Sequence, residues 1–151
     1  MDHSAVRDAI AAEETALRGF PLDHASLFGL AQDLVAASPA PLSVKIVVGR
    51  RTVVQLAMDG TAEDNARFLD LKLNTVFNTG HSSLWWHHQL RVTGRQLKDV
   101  IWASPQEVID FGGGVPLFAG PALVGAVAVS GLPHEEDHRL IVAAMTARMA
   151  G

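Results

Sequence analysis

The chain contains no cysteine and no tyrosine. The first absence excludes disulfide scaffolds, zinc fingers, iron–sulfur clusters and thiolate nucleophiles. The second removes one further haem ligand. Charge is also sparse: 19% of the 151 residues are Asp, Glu, Lys or Arg, and the net charge is -4. With Arg50-Arg51 as the one basic dipeptide, no nucleic-acid footprint is expected. The first residues, Met1-Asp2-His3-Ser4, carry neither a basic nor an apolar leader region, so a cytoplasmic protein is expected. What the chain does have is 48% apolar residues and seven histidines. That apolar share is enough for one core without staples, and one domain over 1–151 is expected.

From Phe111 to Pro133 no residue is charged. The length suggests a membrane span, but Pro116, Gly120, Pro121, Gly125 and Gly131 would break such a helix repeatedly. Two buried strands, Val115–Phe118 and Leu123–Ser130, joined by a Gly-Pro turn, read better, and no membrane contact is expected. A second hairpin is legible earlier. Ser43–Val48 alternates with Val44, Ile46 and Val48 on one face, Gly49-Arg50-Arg51 turns, and Thr52–Met58 returns.

Helices surround the hairpins. Ser4 caps a leading helix within residues 1–20, which ends at Gly19. Pro21 and Asp23 open a second, with the stripe Leu27, Leu30, Ala31, Leu34 and Val35. Thr61 caps a third, whose core stripe is Ala62, Ala66, Leu69, Leu73 and Val76. Asn65, Phe68, Lys72 and Thr75 lie on its opposite side. Gly80 ends it, and Ser82 or Ser83 caps the next, which carries Trp85 and Trp86. Ser104-Pro105-Gln106-Glu107 reads as a capping box opening a short helix. A final helix follows Pro133 with Glu135, Glu136 and Asp137 at its positive end. Helices, hairpin, helices, hairpin and helix in that order make an α+β fold with antiparallel pairing.

Two histidine groups carry the chemistry to be weighed. His134-Glu135-Glu136-Asp137-His138 matches the spacing of a zinc motif with glutamate as base, which would make a metal-dependent hydrolase. No His, Asp or Glu follows His138 to supply a third ligand, and acids in a first helical turn need only the helix dipole to explain them, so no metal site is assigned. His81, His87 and His88 form the other group. Adjacent helical residues project about 100° apart, so His87 and His88 do not chelate together. Gly112-Gly113-Gly114 reads either as a bulged start to a strand or as backbone open to a ligand.

Asp64-Asn65, Phe68, Lys72, Asn74-Thr75-Val76 and Gly80-His81-Ser82-Ser83-Leu84 form one block. Gly112-Gly113-Gly114-Val115-Pro116-Leu117, Val124–Val127, Val129–Pro133 and Glu136-Asp137-His138 form a second. Together, over residues 22–150, they resemble the GlcG/HbpS-like haem-degrading-domain family, in a branch of small uncharacterised proteins. The resemblance implies a profilin-like fold: an antiparallel sheet of about five strands with helices on both faces. It implies a homo-oligomer (a dimer or higher), and it makes haem the one cofactor to consider. It implies no firm catalytic activity. Phe68 stands where that branch usually has Trp, and Leu71 where it has a basic residue.

The function expected is therefore binding of a small ligand, haem-like or anionic, between residues 61–77 and 112–118. Lys72, Asn74, His81, Ser82, Ser83, Gly113 and Gly114 are the expected contacts. Lys72 would neutralise an anion, Asn74 and the serines would donate hydrogen bonds, and the glycines would give backbone access. The alternative is an oligomeric scaffold without a small-molecule site, using Trp85 and Trp86 as interface anchors.

Overall fold

The computed structural model describes residues 1–151. Helices α1 (His3–Ala16) and α2 (His24–Ala37) precede the hairpin β1 (Ser43–Val48) and β2 (Arg51–Ala57). Helices α3 (Glu63–Thr79) and α4 (Ser83–Val92) follow, then a 3-10 turn at Leu97–Asp99. The hairpin β3 (Gly114–Ala119) and β4 (Ala122–Ser130) leads into α5 (His134–Ala150). The four strands form one antiparallel sheet in the order β2-β1-β4-β3. Pro116 can sit in β3 because that strand is an edge and pairs only with β4. No helix is long and apolar enough to cross a membrane.

Strand alternation splits the sheet into two apolar faces. Val44, Ile46, Val115, Leu117, Val127 and Val129 face α2 and α5, where Leu27, Leu30, Leu34, Ile141 and Met145 complete the larger core. Val47, Ala126 and Ala128 face α3 through Leu69, Leu73 and Val76. The small residues of β4 let α3 lie close to the sheet. A third cluster joins Trp86 and Leu90 of α4 to Val100 and Val108 of the long connection. The α+β class and helices on both faces hold.

Several expectations are corrected. The sheet has four strands, not about five: the connection from 93 to 113 forms turns rather than a fifth strand. The short helix expected after Ser104 closes only one turn, with the Glu107 and Val108 amides bonding to the Ser104 carbonyl. The backbone is then captured by α3. Asn74 Nδ2 donates to the Glu107 carbonyl, and Thr75 Oγ1 both accepts from Ile109 N and donates to Ile109 O. Asp2, not Ser4, caps α1 by accepting from Ala5 N, since its carboxylate outcompetes the hydroxyl, which donates to it. Ala62, not Thr61, is the cap position of α3: Asn65 reaches back to the Ala62 amide, and Thr61 Oγ1 donates to Met58 O. Lys72 and Thr75 are buried rather than on an open side of α3.

The leading helix packs on α4 through polar side chains. His3 Nδ1 meets His88 Nδ1 at 2.9 Å, so one ring donates and the other must stay unprotonated there. His81 Nδ1 bonds to Glu14 Oε1 at 2.7 Å, and Arg7 donates to Gln89. Burial, then the neighbouring His87 and His3 rings, push the His88 pKa down to about 4. The unfolded chain, with an ordinary histidine near 6.5, takes up a proton that native His88 refuses. Stability should therefore fall as the pH drops from about 6.5 and level off below about 4. The loss from this group should reach roughly 2 kcal/mol at pH 5. Urea melts of the parent and of His88→Gln across pH 7 to 4.5 check this. The variant should show a shallower slope, and equal slopes would remove His88 as the cause.

Candidate functional site

Lys72 sits in the middle of α3, on the side that meets the end of β4 and the first turn of α5. Its side chain is 4% exposed. Nζ donates to the Val129 carbonyl at 2.8 Å and to Asp137 Oδ2 at 3.0 Å. Asp137 is as deeply buried, at 2%, and its Oδ1 accepts from Leu132 N at 3.0 Å. Burial holds Lys72 below the ordinary lysine value, against the pull of the Asp137 charge. Burial likewise raises Asp137, against the pull of Lys72. Gly113, at φ 119°, makes room for this pair: a Cβ there would lie 2.7 Å from Lys72 Nζ and 3.0 Å from Asp137 Cβ.

A cleft of about 270 Å³ opens beside the pair. Asn65, Phe68, Phe111, Ser130 and His134 join Lys72 and Asp137 in its walls. Phe111 stacks on the His134 ring at 5.1 Å between centroids. His134 Nδ1 accepts the Gly112 N–H at 2.9 Å, so the neutral ring carries its proton on Nε2. Asn65 Nδ2 donates to Ser130 Oγ at 3.2 Å and keeps a second N–H, while its Oδ1 is taken by the Ala62 amide. Left over are one N–H each on Lys72, His134 and Asn65, and the Ser130 hydroxyl, which accepts from Asn65. The lone carboxylate, Asp137, is already engaged by Lys72 and Leu132.

Of the residues expected from sequence, Lys72 lies in the cleft wall and Gly113 directly beneath its amine. The structure does not bring the other five to the cleft. Asn74 points to the Glu107 carbonyl. His81 stacks on Trp85 at 3.7 Å and pairs with Glu14. The Ser82 amide also donates to Glu14, and its hydroxyl caps α4 by accepting from Trp85 N. Ser83 Oγ accepts the Gly114 amide. At Gly114 a Cβ would lie 2.9 Å from the Lys72 carbonyl, so that glycine serves helix–strand packing. His81, Ser82 and Ser83 are thus spent on joining α4 to α1 and β3.

Asp137, Asn65, Phe68, Phe111, Ser130 and His134 also wall the cleft, although none of them is among the ligand contacts expected from sequence. A signal for Asp137 was present. It stands four and eight residues before Ile141 and Met145, on the buried stripe of α5, where a carboxylate requires a partner.

His134 and His138 of the H-E-x-x-H match face different ways. His138 is 2% exposed and its Nε2 lies 3.4 Å from Glu13 Oε1 on α1, while His134 faces the cleft. Ligand atoms of His87, His134 and Glu135 do come within 4.8 Å of one another. Their hydrogen bonds favour a different arrangement. His87 Nδ1 donates to the Asp110 carbonyl at 2.8 Å, which leaves Nε2 bare, whereas the proton of His134 is on Nε2. The two ring centroids lie 4.8 Å apart. A cation would have to displace the His134 proton while Gly112 still occupied Nδ1. Burial lowers the pKa of both rings, which keeps them neutral.

Three comparisons bear on this architecture. A family model described as "Haem degrading protein HbpS-like" matches residues 21–146. The chain is 34% identical over 128 residues to a UPF0303 protein of Streptomyces avermitilis, covering 83% of this chain and 78% of the relative. It is 32% identical over 140 residues to a UPF0303 protein of Rhizobium rhizogenes, covering 90% and 86%. Its fold is similar to the crystal structure of Ybr137w protein, with TM-score 0.83, 19% identity, and 93% and 86% of the two chains covered. It is also similar to a PduOC:heme complex, with TM-score 0.71, 22% identity, and 83% and 94% covered.

The buried pair is a strong lever on stability. Asp137→Asn leaves the Lys72 ammonium buried without a counter-charge and should cost about 3–5 kcal/mol. The double replacement Lys72→Met with Asp137→Leu removes both charges and should recover most of that loss. Urea midpoints of the parent, the single variant and the double variant check this. A double variant as unstable as Asp137→Asn would show that packing, not uncompensated charge, sets the cost.

Proposed function

The chain belongs to the HbpS-like haem degrading protein family, and from that membership and the geometry around Lys72 we propose that it is a binding protein for a small anionic, acceptor-rich ligand. Residues 1–151 act as one domain in this reading. The observation that carries it is the polarity of the cleft: Lys72, Asn65 and His134, each with one N–H left over from its own bonds, line it, and its one carboxylate is already neutralised. A ligand with a carboxylate and a neighbouring oxygen matches those donors. Phe68 and Phe111 cover its carbon skeleton. At about 270 Å³ the cleft suits a molecule of a few carbon atoms and is too small for a tetrapyrrole.

A haem-like ligand is favoured at a second place by a separate observation. A groove of about 720 Å³ runs between the end of α4 and the 95–110 connection. Leu97, Ala103, Val108 and Ile109 form its apolar floor, with Arg91, Arg95 and Lys98 at its rim. Its size falls in the ordinary range for ligand pockets, and cations over an apolar floor suit a flat dicarboxylate. The heme carried by the PduOC relative supports considering that class here.

Titrations with lactate, pyruvate and hemin separate the two sites. Lactate and pyruvate should shift the amide signals of Gly131, Leu132 and His134, and Lys72→Met should weaken both at least tenfold. Hemin should give a Soret shift that Arg95→Ala with Lys98→Ala weakens and Lys72→Met leaves in place. Carboxylate shifts that map away from the cleft would overturn the first assignment, and a Soret shift indifferent to the groove variant would overturn the second.

The homo-oligomer implied by family membership is placed on different residues from those expected. Trp86 is buried within its own chain and Trp85 is covered by His81. Ile101 is fully exposed and Trp102 is 47% exposed beside it, so we place self-association there. Ile101→Ser with Trp102→Ser should lower the mass seen by light scattering without lowering helix content. An unchanged mass would move the contact elsewhere.

A further inference from the structure

Lys72 differs from the other two lysines of the chain. Lys45 on β1 pairs with the exposed Asp70, and Lys98 is exposed in the connection. Lys72 alone is enclosed together with its partner: the side chains are 4% and 2% exposed, the carboxylate lies 3.0 Å from the amine with no other cation on it, and a cleft opens beside them. A buried pair of this kind is a poor device for stability, because two apolar side chains of the same size do as well or better. It is a good device for chemistry. An amine out of water gives up its proton readily when an acceptor is in contact, and the free amine is a nucleophile. The lowered Lys72 and raised Asp137 pKa values agree in direction with such a transfer.

We propose that Lys72 condenses with a small carbonyl compound, an aldehyde or 2-oxo acid, to form a reversible imine in this cleft. The proposal rests on the reading that the cleft binds a small carboxylate. The steps balance without any redox partner. The Lys72 ammonium passes a proton to Asp137, and the nitrogen lone pair attacks the carbonyl carbon. The C=O electron pair moves to oxygen, which takes the proton back from Asp137 to give a carbinolamine. A second nitrogen proton goes to Asp137 and on to the hydroxyl, which leaves as water while the C=N bond forms. Ammonium plus carbonyl gives protonated imine plus water, so a cation stands beside the Asp137 carboxylate at the start and at the end. His134 Nε2–H and the free N–H of Asn65 are the donors left to hold a carboxylate on the same molecule. Gly113 is required because any side chain there would occupy the space of the amine.

The full chain is incubated with pyruvate or glyoxylate and cyanoborohydride, then examined by intact mass and peptide mapping. One reduced adduct per chain is expected, on Lys72 in preference to Lys45, Lys98 and the N-terminal amine. Lys72→Arg keeps a cation for Asp137 but cannot form the imine, and it should lose the adduct, whereas Lys45→Arg, outside the cleft, should keep it at the parent level. Pyruvate and lactate both shifting the cleft signals, with labelling absent from Lys72 or spread over the exposed amines, would overturn the imine and leave the binding reading standing. Neither ligand shifting those signals would overturn both.

Discussion

Two opposite charges are held out of water where α3, the end of β4 and the start of α5 meet, and most of the local structure answers to them. Lys72 cannot reach Asp137 unless α3 lies close against β4, which the small residues Ala126 and Ala128 permit. Asp137 cannot turn inward unless the chain bends sharply after Ser130, and the Leu132 amide fastens that bend to its other oxygen. Gly113 must be bare, because the amine fills the place of its Cβ. Each of these costs something alone. They make sense together because an unpaired charge in this position would cost far more.

The histidines follow a related logic. Six of the seven are held in hydrogen bonds that fix which nitrogen carries the proton or which partner is met: His3 with His88, His81 with Glu14, His87 with Asp110, His134 with Gly112, and His138 with Glu13. They join α1, α4 and α5 at one end of the molecule. What looks from composition like a store of metal ligands is here a set of oriented donors and acceptors. His134 belongs to both worlds, since its fixed tautomer presents an N–H to the cleft.

Legibility was uneven, for physical reasons. The strands and the main helices were readable because burial on one face imposes a period that needs no distant information. Helix caps were readable only within two residues, since Asp2 and Ser4, or Thr61 and Asn65, compete for the same amides and small differences in reach decide. The stretch after Ser104 misled, because a genuine helix-start pattern lost to hydrogen bonds from Asn74 and Thr75. His81, Ser82 and Ser83 looked like ligand contacts because polar groups near a helix start can face either a ligand or another helix. Here Glu14, from α1, takes the first two.

By itself the sequence determined the α+β class, both hairpins and the family. All of these rest on local periodicity or on motifs a few residues long. Only the tertiary structure decided that Lys72 is buried, that Asp137, 65 residues away, is its partner, and that His134 shows the cleft a donor rather than a lone pair. The reason is that the state of a charge or a ring nitrogen depends on what lies within about 3 Å of it, and chain topology, not neighbouring sequence, sets that company.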